Sequence, residues 1–352
     1  MRKIVLCLGL FSALALAQPQ TIDYRTLRAL QEVQKEQEAG NLDKAMSILA
    51  GVEVEPGSYA QAMLWRSEAY LVWQLNHYAD ALQLLEKSHA SGLLGAEEMA
   101  EDRMALARLN LQLDKPEPAL RHLARVQESR EQLELSIYAW QLLERYDKAL
   151  PLAEKYLAGE QQISDQWLGF MVAANAGLKR YAQAEKWQKQ LLARHPQQVR
   201  HWRQLAAIQQ QADDYPRAFA TLRTAYQQGL EFNEGELEQL IAMASAANQP
   251  WQGAKILARL LQQGRLADSL QRQERLAQLQ WQAREQVAAL EYYRKLAQRS
   301  QQAQHWMTVV QLASEQENWA LAKEALQAAD KSGAARKQVR SWQSWLEASA
   351  TL

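Results

Sequence analysis

The stretch WRQLAAIQQQADDYPRAFATLRTAYQQG, residues 202–229, holds the fold in miniature. Trp202, Leu205 and Ala206 lie at helical spacing, and a second helical run carries Ala218, Leu222 and Ala225 on one face. Tyr215-Pro216 sits where that second helix begins, a place where proline's missing N–H costs little. Gly229 follows where a helix needs a left-handed C′ residue. The stretch reads as two helices joined by a short turn.

Working outward from Ala218, the same pattern recurs at Ala45, Ala81, Ala119, Ala149, Ala184, Ala254, Ala289 and Ala322, with a mean spacing of 34.6 residues. Three further columns keep its phase. An aromatic stands three before the alanine at Tyr78, Tyr146, Tyr181, Tyr215, Trp251 and Trp319. A tryptophan stands sixteen before it at Trp65, Trp202 and Trp306, and close to that place at Trp167. Glycine follows at Gly92, Gly159, Gly229, Gly264 and Gly333. The alanines mark helix crossings, where a longer side chain would force the backbones apart, and Leu85, Leu123, Leu222, Tyr293 and Leu326 fill the space between hairpins. One hairpin cannot bury such a surface alone, so neighbours must stack. The fold class is all-α: an α-solenoid of about nine helical hairpins over residues 18–334, closed by a capping helix and tail at 335–352. That last helix carries Val339, Trp342, Trp345 and Leu346 on one stripe. Pro116 and Pro250 also fall in first turns, whereas Pro151, two after Ala149, predicts a distorted hairpin.

The N-terminus has a positive Met1-Arg2-Lys3, an apolar core from Ile4 to Leu16 and a small-x-small site at Ala15-Leu16-Ala17, the marks of a cleavable secretory leader over residues 1–17. A membrane anchor needs about 20 apolar residues. Cys7 stands too early in the apolar core to be a lipidation site. The expected compartment is the bacterial periplasm, with no stable membrane insertion after cleavage.

The 40 basic and 40 acidic residues balance, which disfavours a nucleic-acid partner, since such a protein gains affinity from a basic face. Cys7 is the one cysteine, so the mature chain has no thiolate chemistry. None of the six histidines pairs with another at metal-ligand spacing, and no phosphate-cradling glycine loop or nucleophile elbow occurs. The run Glu97-Glu98 with Glu101-Asp102 follows Gly95 and reads as compensation of a helix dipole. The expectation is a protein that is not an enzyme and needs no cofactor or metal. The 46 glutamines suit hydrogen bonding to extended peptides.

Period and columns together resemble the tetratricopeptide-repeat (TPR) family, across residues 22 to 350, although the glycine usual in the first helix is mostly Ala or Val here. More narrowly, Trp202 to Ala206, Asp214-Tyr215, Ala218, Ala220-Thr221, Ala225-Tyr226, Gly229, Asn248, Pro250, Ala254-Lys255 and Gly264 resemble periplasmic TPR proteins that accompany TonB, ExbB and ExbD in gammaproteobacteria. The resemblance implies an interaction scaffold, accessory to TonB-dependent energy transduction to outer-membrane transport, with other envelope proteins of TonB, ExbB or ExbD type as partners. It also implies a concave groove lined by first-helix positions: Met63, Arg66, Tyr70 and Trp73, then Arg108, Tyr138, Arg203 and Gln210. In that groove Arg66 and Arg203 would grip carboxylates, and Tyr70, Trp73 and Tyr138 would cover apolar side chains. The competing reading is a scaffold for cell-wall or exopolysaccharide assembly, with Trp and Gln facing glycan.

Overall fold

The computed structural model describes residues 22–349, whose regular structure is entirely helical. The leader, its cleavage site and Cys7 lie outside the described residues. Two compact units divide the described chain, one ending at Gln162 and the other beginning at Ile163.

The first unit holds four hairpins: α1 (Tyr24–Glu38) with α2 (Leu42–Ala50), α3 (Tyr59–Gln74) with α4 (Tyr78–Ala90), α5 (Ala96–Gln112) with α6 (Pro116–Leu123), and α7 (Arg130–Leu142) with α8 (Tyr146–Tyr156). The second unit holds five: α9 (Asp165–Gly177) with α10 (Tyr181–Arg194), α11 (Val199–Gln211) with α12 (Tyr215–Gln227), α13 (Glu234–Ala246) with α14 (Pro250–Gln262), α15 (Leu270–Gln282) with α16 (Gln286–Ser300), and α17 (Ala303–Glu315) with α18 (Trp319–Lys331). The helix α19 (Arg336–Ser349) follows. The architecture is an α-solenoid, as the period predicts.

Local chemistry explains the boundaries. First helices often open on a side-chain cap: Ser58, Ser129, Ser164 and Ser269 each accept a backbone N–H, and so do Asp23 and Asn233. Second helices open one N-cap residue after a one-residue left-handed reversal. In eight hairpins that residue is not glycine but Asn76, Asp114, Glu144, Lys179, Asp213, Asn248, Arg284 or Glu317; in the first it is Gly40. The reversal closes the same way each time, the next N–H returning to a carbonyl five residues back, as in His77 to Val72 at 2.9 Å and Lys115 to Asn110 at 2.8 Å. Turns between hairpins use glycine instead, and Gly92, Gly159, Gly229, Gly264 and Gly333 all have positive φ there.

All nine signature alanines are buried, and so are Leu85, Leu123, Leu222, Tyr293 and Leu326. Within each unit, apolar clusters are completed by the first helix of the next hairpin. Leu71 of α3 closes over Ala45 and Leu49, Ala139 of α7 over Ala119 and Leu123, and Ile208 of α11 over Ala184 and Leu191. At the end of the second unit Leu346 of α19 does this for Ala325, Leu326 and Ala329, each buried leucine stabilising by about 1.5–3 kcal/mol. Among the described glycines, Gly253 is the most closely covered, and an added Cβ would stand 2.9 Å from that of Ala244.

Pro151 departs from expectation. It lies inside α8, which runs on without a break, and it sits on the exposed side while Leu150 and Ala153 face the core. On that side the carbonyl that loses its partner can turn to water, and the buried face of the hairpin is undisturbed.

Candidate functional site

Counted from the buried alanine of each hairpin, the first-helix residues singled out by the sequence fall into three columns. Arg66 and Arg203 stand fifteen before it, Tyr70, Arg108 and Tyr138 eleven before it, and Trp73 and Gln210 eight before it. Arg66, Tyr70, Trp73, Arg108 and Tyr138 belong to the first unit, Arg203 and Gln210 to the second.

Equal register does not give equal exposure. Arg66 is only 1% exposed, its Nε donating to Asp102 Oδ1 at 2.7 Å and its Nη2 to Glu101 Oε2 at 2.5 Å. Burial works against its charge, but Tyr70, Asp102 and Glu101 outweigh that effect and hold its pKa above the ordinary arginine value. A guanidinium bound in this way has no free fork for a partner's carboxylate. The expected grip at Arg66 gives way to an internal ion pair, because Asp102 is itself buried and demands a counterion. Tyr70 is buried too, stacked on half-buried Trp73 at 6.1 Å and 5.5 Å from the Arg66 guanidinium.

The other members face outward in part or in full. Tyr138 is 47% exposed, and Gln210 is exposed. Arg108 is half-buried, its Nε donating to Glu131 Oε1 at 2.9 Å. The side chain of Arg203 is 46% exposed and its Nη1 reaches Glu236 Oε1 at 3.1 Å. Met63 is half-buried. These pairs extend a pattern the sequence reading missed, in which the first helix of one hairpin is joined by charge to that of its neighbour. Arg66 joins α3 to α5, Arg108 joins α5 to α7, and Arg203 joins α11 to α13. Arg272 of α15 reaches back to Glu234 and Glu238 of α13.

Asp102 is fully buried, with Oδ2 lacking a hydrogen-bond partner. Burial pushes its carboxyl up to about 6, against the opposing pull of Arg66. Dipole compensation therefore describes only half of the acidic run. Glu98 caps the backbone N–H of Gly95 at 2.7 Å, while Glu101 and Asp102 serve Arg66.

Stacking also draws together histidines that look isolated in sequence. His89 of α4 and His122 of α6 meet edge to face at 6.0 Å, and His195 stacks on His201 at 5.5 Å. His195 Nε2 lies 2.5 Å from Asp165 Oδ2, and the hydrogen bonds from His195 and Arg194 hold the Asp165 carboxyl below its usual range. His305 is buried beside Ser300 at 2.7 Å. Among the described residues no three His, Cys, Asp or Glu side chains are grouped so as to hold a metal ion, and no helix is long and apolar enough to cross a membrane. Of the tryptophans, Trp306 is buried, Trp202 is half-buried and donates to the Pro196 carbonyl at 2.8 Å, and Trp251 and Trp345 are each 46% exposed.

No family model matches the sequence, and no curated protein matches it closely enough to count. Solved structures with a similar helical arrangement include a tetratricopeptide repeat protein from Parabacteroides merdae ATCC 43184, 15% identical, with a TM-score of 0.41 over 72% of this chain and 98% of that one. Another is MamA from Desulfovibrio magneticus RS-1, 20% identical, with a TM-score of 0.36 over 50% of this chain and 99% of that one.

Proposed function

We propose that this chain is a periplasmic, non-catalytic scaffold that holds an extended segment of another envelope protein, as an accessory to TonB-dependent energy transduction. One observation carries the reading. First-helix columns recur at the repeat spacing, and their outward members, Tyr138 in the first unit and Arg203 and Gln210 in the second, present an aromatic ring, a cation and an amide. A few aromatic and arginine anchors carry most of the energy of a typical interface. In the first unit Arg66 and Tyr70 are buried behind its own column, with Arg66 tying α3 to α5.

The test uses the purified chain with purified periplasmic segments of TonB and ExbD. Binding should weaken at least tenfold when Tyr138→Ala, Arg203→Glu and Gln210→Ala are combined, with helicity by circular dichroism unchanged. Equal affinity for wild type and triple variant defeats the first-helix assignment. Absence of binding to either segment defeats the TonB reading. The compartment is checked separately by intact mass of the exported protein, expected to begin at Gln18.

A further inference from the structure

A basic cluster lies where α4, α5 and α6 meet. His89 ends α4, Arg103 projects from α5, Arg121 and His122 end α6, and Arg125 follows it. Arg103, Arg121 and Arg125 form no salt bridge with any carboxylate among the described residues, and Arg103 Nη1 donates only to the Arg125 carbonyl, at 3.4 Å. Arg103 Nε and His89 Nδ1 are buried without a hydrogen-bond partner. Basic residues in a last helical turn do offset the dipole, each by about 0.3–1 kcal/mol. That accounts for Arg121 and His122, but it leaves two buried polar atoms unpaired, a state that costs free energy.

The electrostatics of the two rings agree with this geometry. Burial, together with Arg103 and Arg125, holds His89 below the usual imidazole range. Burial, with His89, Arg121, Arg125 and Arg103, pushes His122 down to about 4. Every group acting on either ring is basic. At neutral pH the cluster therefore presents three fixed cations and two neutral N–H donors, with no salt-bridged acid among the described residues.

We propose that His89, Arg103, Arg121, His122 and Arg125 form a binding site for a phosphate dianion, free or carried as a phosphate monoester. Two charges offset three guanidinium groups better than the single charge of a carboxylate does, and the several oxygens accept from planar Arg forks and imidazole N–H together.

The experiment is calorimetric titration of the full-length mature chain at pH 7 and constant ionic strength with inorganic phosphate, O-phosphoserine and acetate. Saturable binding of phosphate or phosphoserine is expected, at least tenfold tighter than acetate. The two phosphate arms separate the sources: tighter phosphoserine identifies a monoester ligand, tighter inorganic phosphate a free one. Arg121→Gln and Arg125→Gln change exposed side chains, so folding should be kept while affinity falls at least tenfold. Arg294→Gln, at an exposed arginine of the second unit, should change nothing. Proton NMR should show the His89 and His122 rings titrating at higher pH in phosphate than in chloride, because a bound dianion favours their protonated forms. Absence of saturable binding, affinity untouched by the Arg121 and Arg125 changes, or ring titrations indifferent to phosphate would each overturn the proposal.

Discussion

Asp102 and Leu237 occupy the same place in two different hairpins, each seventeen residues before the buried alanine of its own hairpin, and both are sealed from solvent. In the second unit the position does what its periodicity suggests, since Leu237 lies among Leu240, Ile241 and Phe219 in one apolar cluster. In the first unit the same position holds a carboxylate. The consequence spreads to the preceding hairpin: Arg66 is drawn in to 1% exposure, whereas Arg203, in the identical register, stays near the surface beside Glu236. Repeat position therefore decides what is inside, and the chemical type of the inside residue decides what its neighbours must do.

That contrast is broken most severely by Leu237→Asp, which places a carboxylate in an apolar cluster. A loss of several kcal/mol is expected, read by denaturant unfolding and by hydrogen exchange concentrated in α11 to α14. If Arg203 is then drawn inward as Arg66 is, adding Arg203→Ala should cost more than it does in the wild type.

Next in size is Arg66→Ala, expected to cost about 3–5 kcal/mol by leaving Asp102 buried without its counterion. Combining Arg66→Met with Asp102→Leu, which copies the second unit's chemistry, should restore stability to within about 1 kcal/mol of wild type or exceed it, since a well-packed apolar pair avoids the desolvation of two ions. A single variant as stable as the wild type would mean that the pair is not buried in solution.

The same region should show two opposed pH dependences. The Asp102 carboxyl titrates at about 6 in the folded chain, above its unfolded value near 3.9. Folding therefore takes up a proton in that window, and this group's contribution to stability declines as pH rises from about 4 through 6. His122 titrates at about 4, below its unfolded value near 6.5. Its contribution is intact above about 6.5 and is lost as pH falls toward 4. Thermal melts from pH 4 to 7 should show Asp102→Asn removing the first dependence and His122→Gln the second.

The smallest effect is expected of Arg203→Ala in the wild type, about 0–1 kcal/mol for a pair whose arginine reaches solvent. Glu236 keeps its other role in that variant, accepting from the Asn233 N–H at 2.8 Å. A loss above 2 kcal/mol in equilibrium unfolding would show that the two arginines are not as different as their exposures indicate.

The sequence by itself determined the period, the class of fold and the helix crossings, because these rest on local sterics. A crossing accepts only a small residue, so alanine recurs, and a left-handed turn between hairpins favours glycine, so Gly92 through Gly333 mark the joints. The reversals inside the hairpins left no comparable mark: Lys179, Arg284 and Glu317 adopt the left-handed conformation as Asn76 does, held by the backbone bond and the packing of the helices on either side. Only the tertiary structure decided which candidate site residues remain accessible. Periodicity gives a residue's direction within its own hairpin, whereas exposure depends on what the next hairpin places opposite it, some 35 residues away. Arg66 meets Asp102, Arg203 meets Glu236, and Tyr138 meets too little to cover it. His89 and His122 become neighbours for the same reason, through stacking of hairpins that no spacing along the chain records.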